Sequence, residues 1–120
     1  MNKNNKLKSI IWMGNSRKNL LEFPLEVRRE IGHALYFAQL GDTHPHVKMM
    51  KGLGSRMYEV VEDFRTDTYR AVYTVCYKNK VYILHAFQKK SKSGIKTSQE
   101  DIKVIEKRLK RIKEIEDDKS

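Results

Sequence analysis

The stretch from Tyr69 to Phe87 constrains the fold more than any other. Two runs, Tyr69–Tyr77 and Val81–Phe87, are rich in Val, Ile and Tyr and are separated only by Lys78-Asn79-Lys80. Such side chains suit a pleated surface, and so short a polar break predicts an antiparallel hairpin. One face of the first run carries Ala71, Tyr73, Val75 and Tyr77, the other Val72, Thr74 and Cys76. A hairpin apolar on both faces belongs in the middle of a sheet, with cover on each side. With Asn79 and Lys80 as the central turn residues, position 78 pairs with 81, 76 with 83, 74 with 85 and 70 with 89. Arg70 then faces Lys89, and Thr74 faces His85.

The remaining elements are arranged around this hairpin. Leu7–Met13 reads as a first strand, broken by Gly14-Asn15. Ser16 is placed to cap a short helix over residues 17–22. Pro24 suits the first turn of a second helix, where its missing N–H costs little. Val27, Ile31, Ala34, Leu35 and Ala38 give that helix an apolar stripe, and Gly41 is a natural stop. Asp42–Gly54 reads as a linking loop and Met57–Phe64 as another strand. Ser98 and Asp101 form a capping-box-like start for a last helix with Ile102, Ile105, Leu109 and Ile112 on one face. The acidic end from Glu114 opposes the helix dipole and is expected to fray. The expectation is one α+β domain over residues 1–120, ordered β-α-α-β-β-β-α, with 1–6 and 114–120 frayed.

Charge is distributed unevenly. The chain has a net charge of +10, yet residues 71–96 contain six lysines and no acid. A local basic block of this kind points to a polyanionic partner. The single Cys76 excludes an internal disulfide and reads as a small buried hydrophobe in a reducing compartment. No apolar run approaches the ~20 residues of a membrane span, so a cytoplasmic protein is expected.

Several residues could carry chemistry. His85 lies within a strand, near its junction with the basic loop, and titrates near neutrality. Phe87 followed by Lys89 and Lys90 combines an aromatic face with cations, a common way to hold single-stranded nucleic acid. Arg70 opposite Lys89 would place like charges face to face, an arrangement that a phosphate between them would relieve. An ion pair from Arg70 to Glu59 or Glu62 on the neighbouring strand is an equally good reading. Lys51 precedes Gly52-Leu53-Gly54 and could reach a phosphate, but a P-loop is absent. His44-Pro45-His46 lacks the companions of a zinc motif and reads as a chance loop pair. No metal or cofactor is expected.

Three blocks resemble the RelE/ParE superfamily of bacterial toxins, in particular its phage-related RelE/HigB-like branch. Lys51-Gly52-Leu53 with Met57-Tyr58-Glu59-Val60 is similar to the family's K-x-L/G loop and W-E-L strand. Thr68-Tyr69-Arg70-Ala71-Val72-Tyr73 is similar to its T-Y-R-V-x-Y strand. Leu84-His85-Ala86-Phe87-Gln88-Lys89-Lys90-Ser91 resembles its L-H-x-F-x-K-K-S block closely. Val61 stands where the family often has a basic residue, and the link from Ser93 to Ser98 is longer than the family's K-T-P.

The resemblance implies a toxin of a type II toxin–antitoxin pair, a metal-independent, ribosome-dependent mRNA endonuclease. In that chemistry a ribose 2′-OH attacks the adjacent phosphate. The matching positions imply Arg70 and Lys89 on the phosphate, and His85 or Glu59 as proton acceptor. Lys51, Phe87, Lys90 and Lys92 would bind RNA. The implied partners are a helix-turn-helix antitoxin, mRNA with the ribosomal A site, and operator DNA only through the antitoxin. The alternatives are a non-enzymatic ParE-type inhibitor of DNA gyrase and a nuclease-inactive nucleic-acid-binding module. Arg70→Ala and Lys89→Ala are each expected to abolish growth inhibition while leaving the fold intact.

Overall fold

The computed structural model describes residues 6–89 and 96–119. In chain order the elements are β1 (Ser9–Trp12), α1 (Ser16–Leu21), α2 (Leu25–Gln39), β2 (Val47–Met49), β3 (Met57–Phe64), β4 (Asp67–Thr74), β5 (Lys80–Lys89) and α3 (Gln99–Asp118). The strands form one sheet in the order β1-β5-β4-β3-β2. Neighbours are antiparallel except β1, which lies parallel to β5.

The hairpin strands β4 and β5 are central and covered on both sides, as their two apolar faces require. One cover is α1 with α2, whose Val27, Ile31 and Leu35 meet Val60, Ala71 and Ile83 of the sheet. The other is α3, whose Ile105, Leu109 and Ile112 pack on Met57, Val72 and Leu84. Burying each such side chain stabilises by about 1.5–3 kcal/mol before the cost of ordering it.

The hairpin register differs from the sequence expectation. Arg70 lies opposite Phe87 rather than Lys89, and Thr74 opposite Tyr82 rather than His85. There are two causes. The strands are joined by residues 75–79 rather than a two-residue turn, with Lys80 N–H donating to the Tyr77 carbonyl. A β-bulge then leaves Leu84 without an opposite residue, since Tyr73 pairs with Ile83 and Val72 with His85. Below the bulge Ile83 faces the α1–α2 layer; beyond it Phe87 faces α3. The bulge thus reverses the phase of the strand and aims Leu84, His85 and Phe87 toward the last helix. Tyr77 joins the α3 face rather than that of Tyr73. Cys76 leaves the strand and is exposed, donating to the Ser55 carbonyl.

Three local expectations also change. The segment read as a loop contains β2, which pairs with β3. Ser16 does not cap α1; its hydroxyl donates to the Ile83 carbonyl at 3.2 Å. Helix α3 continues to Asp118 because Glu116 is tied down, accepting from Lys80 Nζ at 2.7 Å and from the Tyr82 hydroxyl.

Gly14 has a left-handed φ of +54°, and a Cβ there would lie 2.5 Å from the Arg108 guanidinium. That guanidinium donates to the bulge carbonyl of Leu84 at 2.8 Å and to Asn15 Oδ1 at 2.9 Å. It fastens α3 to β5 and to the turn before α1. Gly14→Ala should therefore cost about 1–2 kcal/mol from backbone strain alone, and more as Arg108 is displaced. Urea unfolding would measure it; an unchanged midpoint would refute the role given to this turn.

Candidate active site

The bulged end of β5, the middle of β3 and β4, and the entry to α3 bring together Glu59, Arg70, His85, Phe87 and Lys89 on one face of the sheet. Arg70 and Lys89 are diagonal neighbours on that face rather than opposite each other, still within reach for long side chains. The turn into α3 lies across all of them. Lys89 Nζ donates to the Lys96 carbonyl at 2.7 Å, and Arg70 Nη1 to Thr97 Oγ1 at 3.4 Å.

Arg70 and Glu59 form a buried ion pair. Nη1 lies 3.2 Å from both Glu59 carboxylate oxygens, and each side chain is only 4% exposed. Thr97 Oγ1 adds a donated hydrogen bond of 2.8 Å to Glu59 Oε2. Of the two acids weighed as partners for Arg70, the structure selects Glu59. Both of its oxygens accept from Arg70 and one also from Thr97, which makes it the counter-ion of Arg70 in this arrangement.

His85 is held differently. Its Nε2 lies 2.8 Å from Asp101 Oδ1, and its ring stacks on Phe87 with centroids 4.7 Å apart. Asp101 is itself fixed by the helix start: its N–H donates to Ser98 Oγ at 3.1 Å, and the Ser98 hydroxyl donates to Oδ2 at 2.7 Å. With Nε2–H donating to the carboxylate, Nδ1 is left as an acceptor. Nδ1 is buried and has no hydrogen-bond partner among the described residues. Burial lowers the His85 pKa from its ordinary value, and the nearby Asp101 charge offsets this only in part. The neutral ring is therefore favoured, with one nitrogen oriented by a carboxylate and the other an unpaired acceptor enclosed beneath the entry to α3.

The other predicted residues lie elsewhere. Lys51 is exposed in the loop after β2, and the adjoining Gly52 and Leu53 line a groove with Glu106 and Leu109 of α3. Among the described residues no hydrogen bond or ion pair brings it into the cluster. Lys90 and Lys92 lie outside the described residues. Sequence reasoning missed Asp101 and Thr97 as partners in the site. Its spacing from Ser98 marks Asp101 as a capping residue, but nothing local ties it to a histidine 16 positions earlier.

The sequence profile of a family described as "Phage derived protein Gp49-like" matches residues 18–110. No curated protein sequence matches the chain. Among solved structures, a mutant of Escherichia coli toxin RelE in the free state superposes with a TM-score of 0.55 at 17% identity, covering 89% of this chain and 99% of that one. The RelBE2 toxin–antitoxin complex from Mycobacterium tuberculosis gives 0.48 at 13% identity over 73% of this chain and 100% of that one, too loose to bear on the fold. The RelE-like architecture expected from the three sequence blocks is borne out.

Proposed function

The chain belongs to the phage-derived Gp49-like family and has a RelE-like fold, and on that premise we propose that it is the toxin of a type II toxin–antitoxin pair that cleaves mRNA on the ribosome. The observation that carries this reading is His85, neutral, oriented by Asp101 and with Nδ1 left unpaired. In the proposed reaction the entry to α3 moves aside to uncover Nδ1, and a ribose 2′-OH gives its proton to it as its oxygen bonds to the adjacent phosphorus. The bond from phosphorus to the 5′ oxygen breaks, leaving a 2′,3′-cyclic phosphate and a 5′ oxygen protonated by water. Arg70 and Lys89 stabilise the negative charge gathered on the non-bridging oxygens. Arg70 is enclosed by Glu59 and Thr97, so its guanidinium reaches a phosphate only when the turn at Thr97 gives way. Lys89 and Lys96, at the end of β5 beside the cluster, hold the RNA, whereas Lys80 at its other end is paired with Glu116. A helix-turn-helix antitoxin is the proposed partner, binding operator DNA on the toxin's behalf.

The test is to map mRNA ends in translating and non-translating extracts. Ends that appear only with active ribosomes support the proposal; intact mRNA in both sinks it. Lys89 is bound to its surroundings through the Lys96 carbonyl and sits at the margin of the cluster. Lys89→Ala should leave thermal stability nearly unchanged and lower cleavage by roughly 100-fold, as loss of one charge-stabilising donor does. Undiminished cleavage would remove Lys89 from the site.

One observation favours a second reading, a toxin that inhibits gyrase by binding alone: the cation best placed for phosphate chemistry is already neutralised by Glu59. Inhibition of supercoiling with mRNA left intact would establish that alternative.

A further inference from the structure

We propose that Glu30, His46 and Glu62 form a binding site for a divalent transition-metal cation of the zinc class. The site lies on the α1–α2 side of the sheet, away from the Arg70–His85 cluster. Glu30 comes from α2, Glu62 from β3, and His46 from the residue just before β2. One donor atom from each lies within 4.8 Å of the other two. An imidazole and two carboxylates suit zinc and its neighbours and leave room for water as a fourth ligand.

The geometry is that of a framed site. Glu62 is buried, with a side chain only 9% exposed, while His46 is half exposed above it with Nδ1 2.5 Å from Oε2. A buried carboxylate needs a positive partner, and no lysine or arginine pairs with Glu62 among the described residues. His46 is held by its backbone, whose carbonyl accepts from Val61 N–H at 3.1 Å.

A further histidine stands beside the outer carboxylate, placed to donate to it once Glu30 swings toward the ion. His44, which is buried, accepts the His46 N–H at Nδ1 over 3.0 Å. Its proton therefore sits on Nε2, which faces Glu30 Oε1 at 3.9 Å. Its ring also packs edge-on against His46, with centroids 5.0 Å apart. Such outer partners orient metal-binding groups and tune their affinity.

A zinc ion with bonds of about 2.0–2.1 Å holds its ligands about 3.3 Å apart. His46 and Glu62 would open by less than ~1 Å, and Glu30 would swing in from the surface. The ion takes the place of the direct contact that now joins His46 Nδ1 to Glu62 Oε2. The pair that looked like a chance sequence neighbour, His44 and His46, thus supplies one ligand and one aligning group.

The experiment is titration calorimetry of the chelator-stripped full-length chain with zinc chloride, in a Cys76→Ser background to remove the exposed thiol. One saturable equivalent is expected, together with a zinc-dependent rise in melting temperature. Glu30→Gln is a surface change that should leave the zinc-free melting temperature unaltered and weaken zinc binding by about 100-fold, and His44→Phe by about tenfold. His46→Ala should abolish binding. No saturable binding, or the same affinity in the parent, Glu30→Gln and His46→Ala proteins, would overturn the proposal and leave His46 and Glu62 as an ordinary ion pair.

Discussion

Replacing Arg70 with alanine is expected to destabilise the fold by about 3–5 kcal/mol, because it strands the buried Glu59 carboxylate without its counter-charge. At roughly 4 °C per kcal/mol for a domain of this size, the melting temperature should fall by about 10–20 °C. The structure therefore revises the expectation that Arg70→Ala spares the fold. Loss of growth inhibition in that variant alone would say little about catalysis. The informative protein is the double substitution Arg70→Met with Glu59→Leu, which removes both charges and fills the space they held. Replacing a buried pair with apolar groups of similar volume is often neutral or stabilising. The double variant should melt close to the parent protein and yet fail to cleave RNA. Full toxicity in a well-folded double variant would remove Arg70 and Glu59 from the chemistry. A large loss of stability in it would show that the pair specifies the packing under α3.

The second large effect concerns His85. His85→Gln should lower ribosome-dependent cleavage by about 10²- to 10⁴-fold, the usual range for a lost general base. A purely structural histidine could give a similar loss, so the pH profile separates the two roles. Asp101 raises the His85 pKa against the larger lowering effect of burial. Asp101→Asn removes that opposing charge, so the histidine pKa should fall further. The acid limb of the pH–rate profile should then move to lower pH while the maximum rate declines. A limb that stays in place would rule out His85 as the titrating base.

Stability carries the same sign. The folded state favours the neutral ring. The contribution of His85 is therefore complete above the unfolded value of 6.5 and is lost as pH falls from there through its lower folded value. His46 acts in the opposite sense. Its pKa is raised by Glu62, so its contribution is complete below 6.5 and is lost as pH rises through the higher folded value.

The difference between what was legible in the sequence and what was not follows from range. The stripe Val27, Ile31, Ala34, Leu35, Ala38 is a matter of helical spacing, and all five are buried. Ser98 and Asp101 read as a cap because capping is settled within four residues. The two-faced apolar character of the hairpin strands placed them centrally, where they are. Register was not legible, since it depends on the length of the 75–79 connection and on the bulge at Leu84. Neither leaves a glycine or proline to mark it. The partners Asp101 for His85 and Thr97 for Glu59 depend on how α3 returns across the sheet, which no local pattern encodes. Arg70 with Glu59 lies between these cases: strand adjacency suggested the pair, but only the register chose it over Glu62.

The parallel pairing of β1 with β5 has a temporal consequence. Ser9–Trp12 must wait for Lys80–Ile83 before it has a neighbour, and β5, which lies between β1 and β4, is the last strand to be synthesised. Contacts so distant in sequence form slowly, and a vectorially emerging chain can make them only late. During translation β2, β3 and β4 can pair with one another, but β1 lacks the strand that joins it to them. The face bearing His85 and Lys89 does not exist until β5 has left the ribosome. If the protein attacks translation, the face that does so waits for the strand that joins β1 to the rest of the sheet.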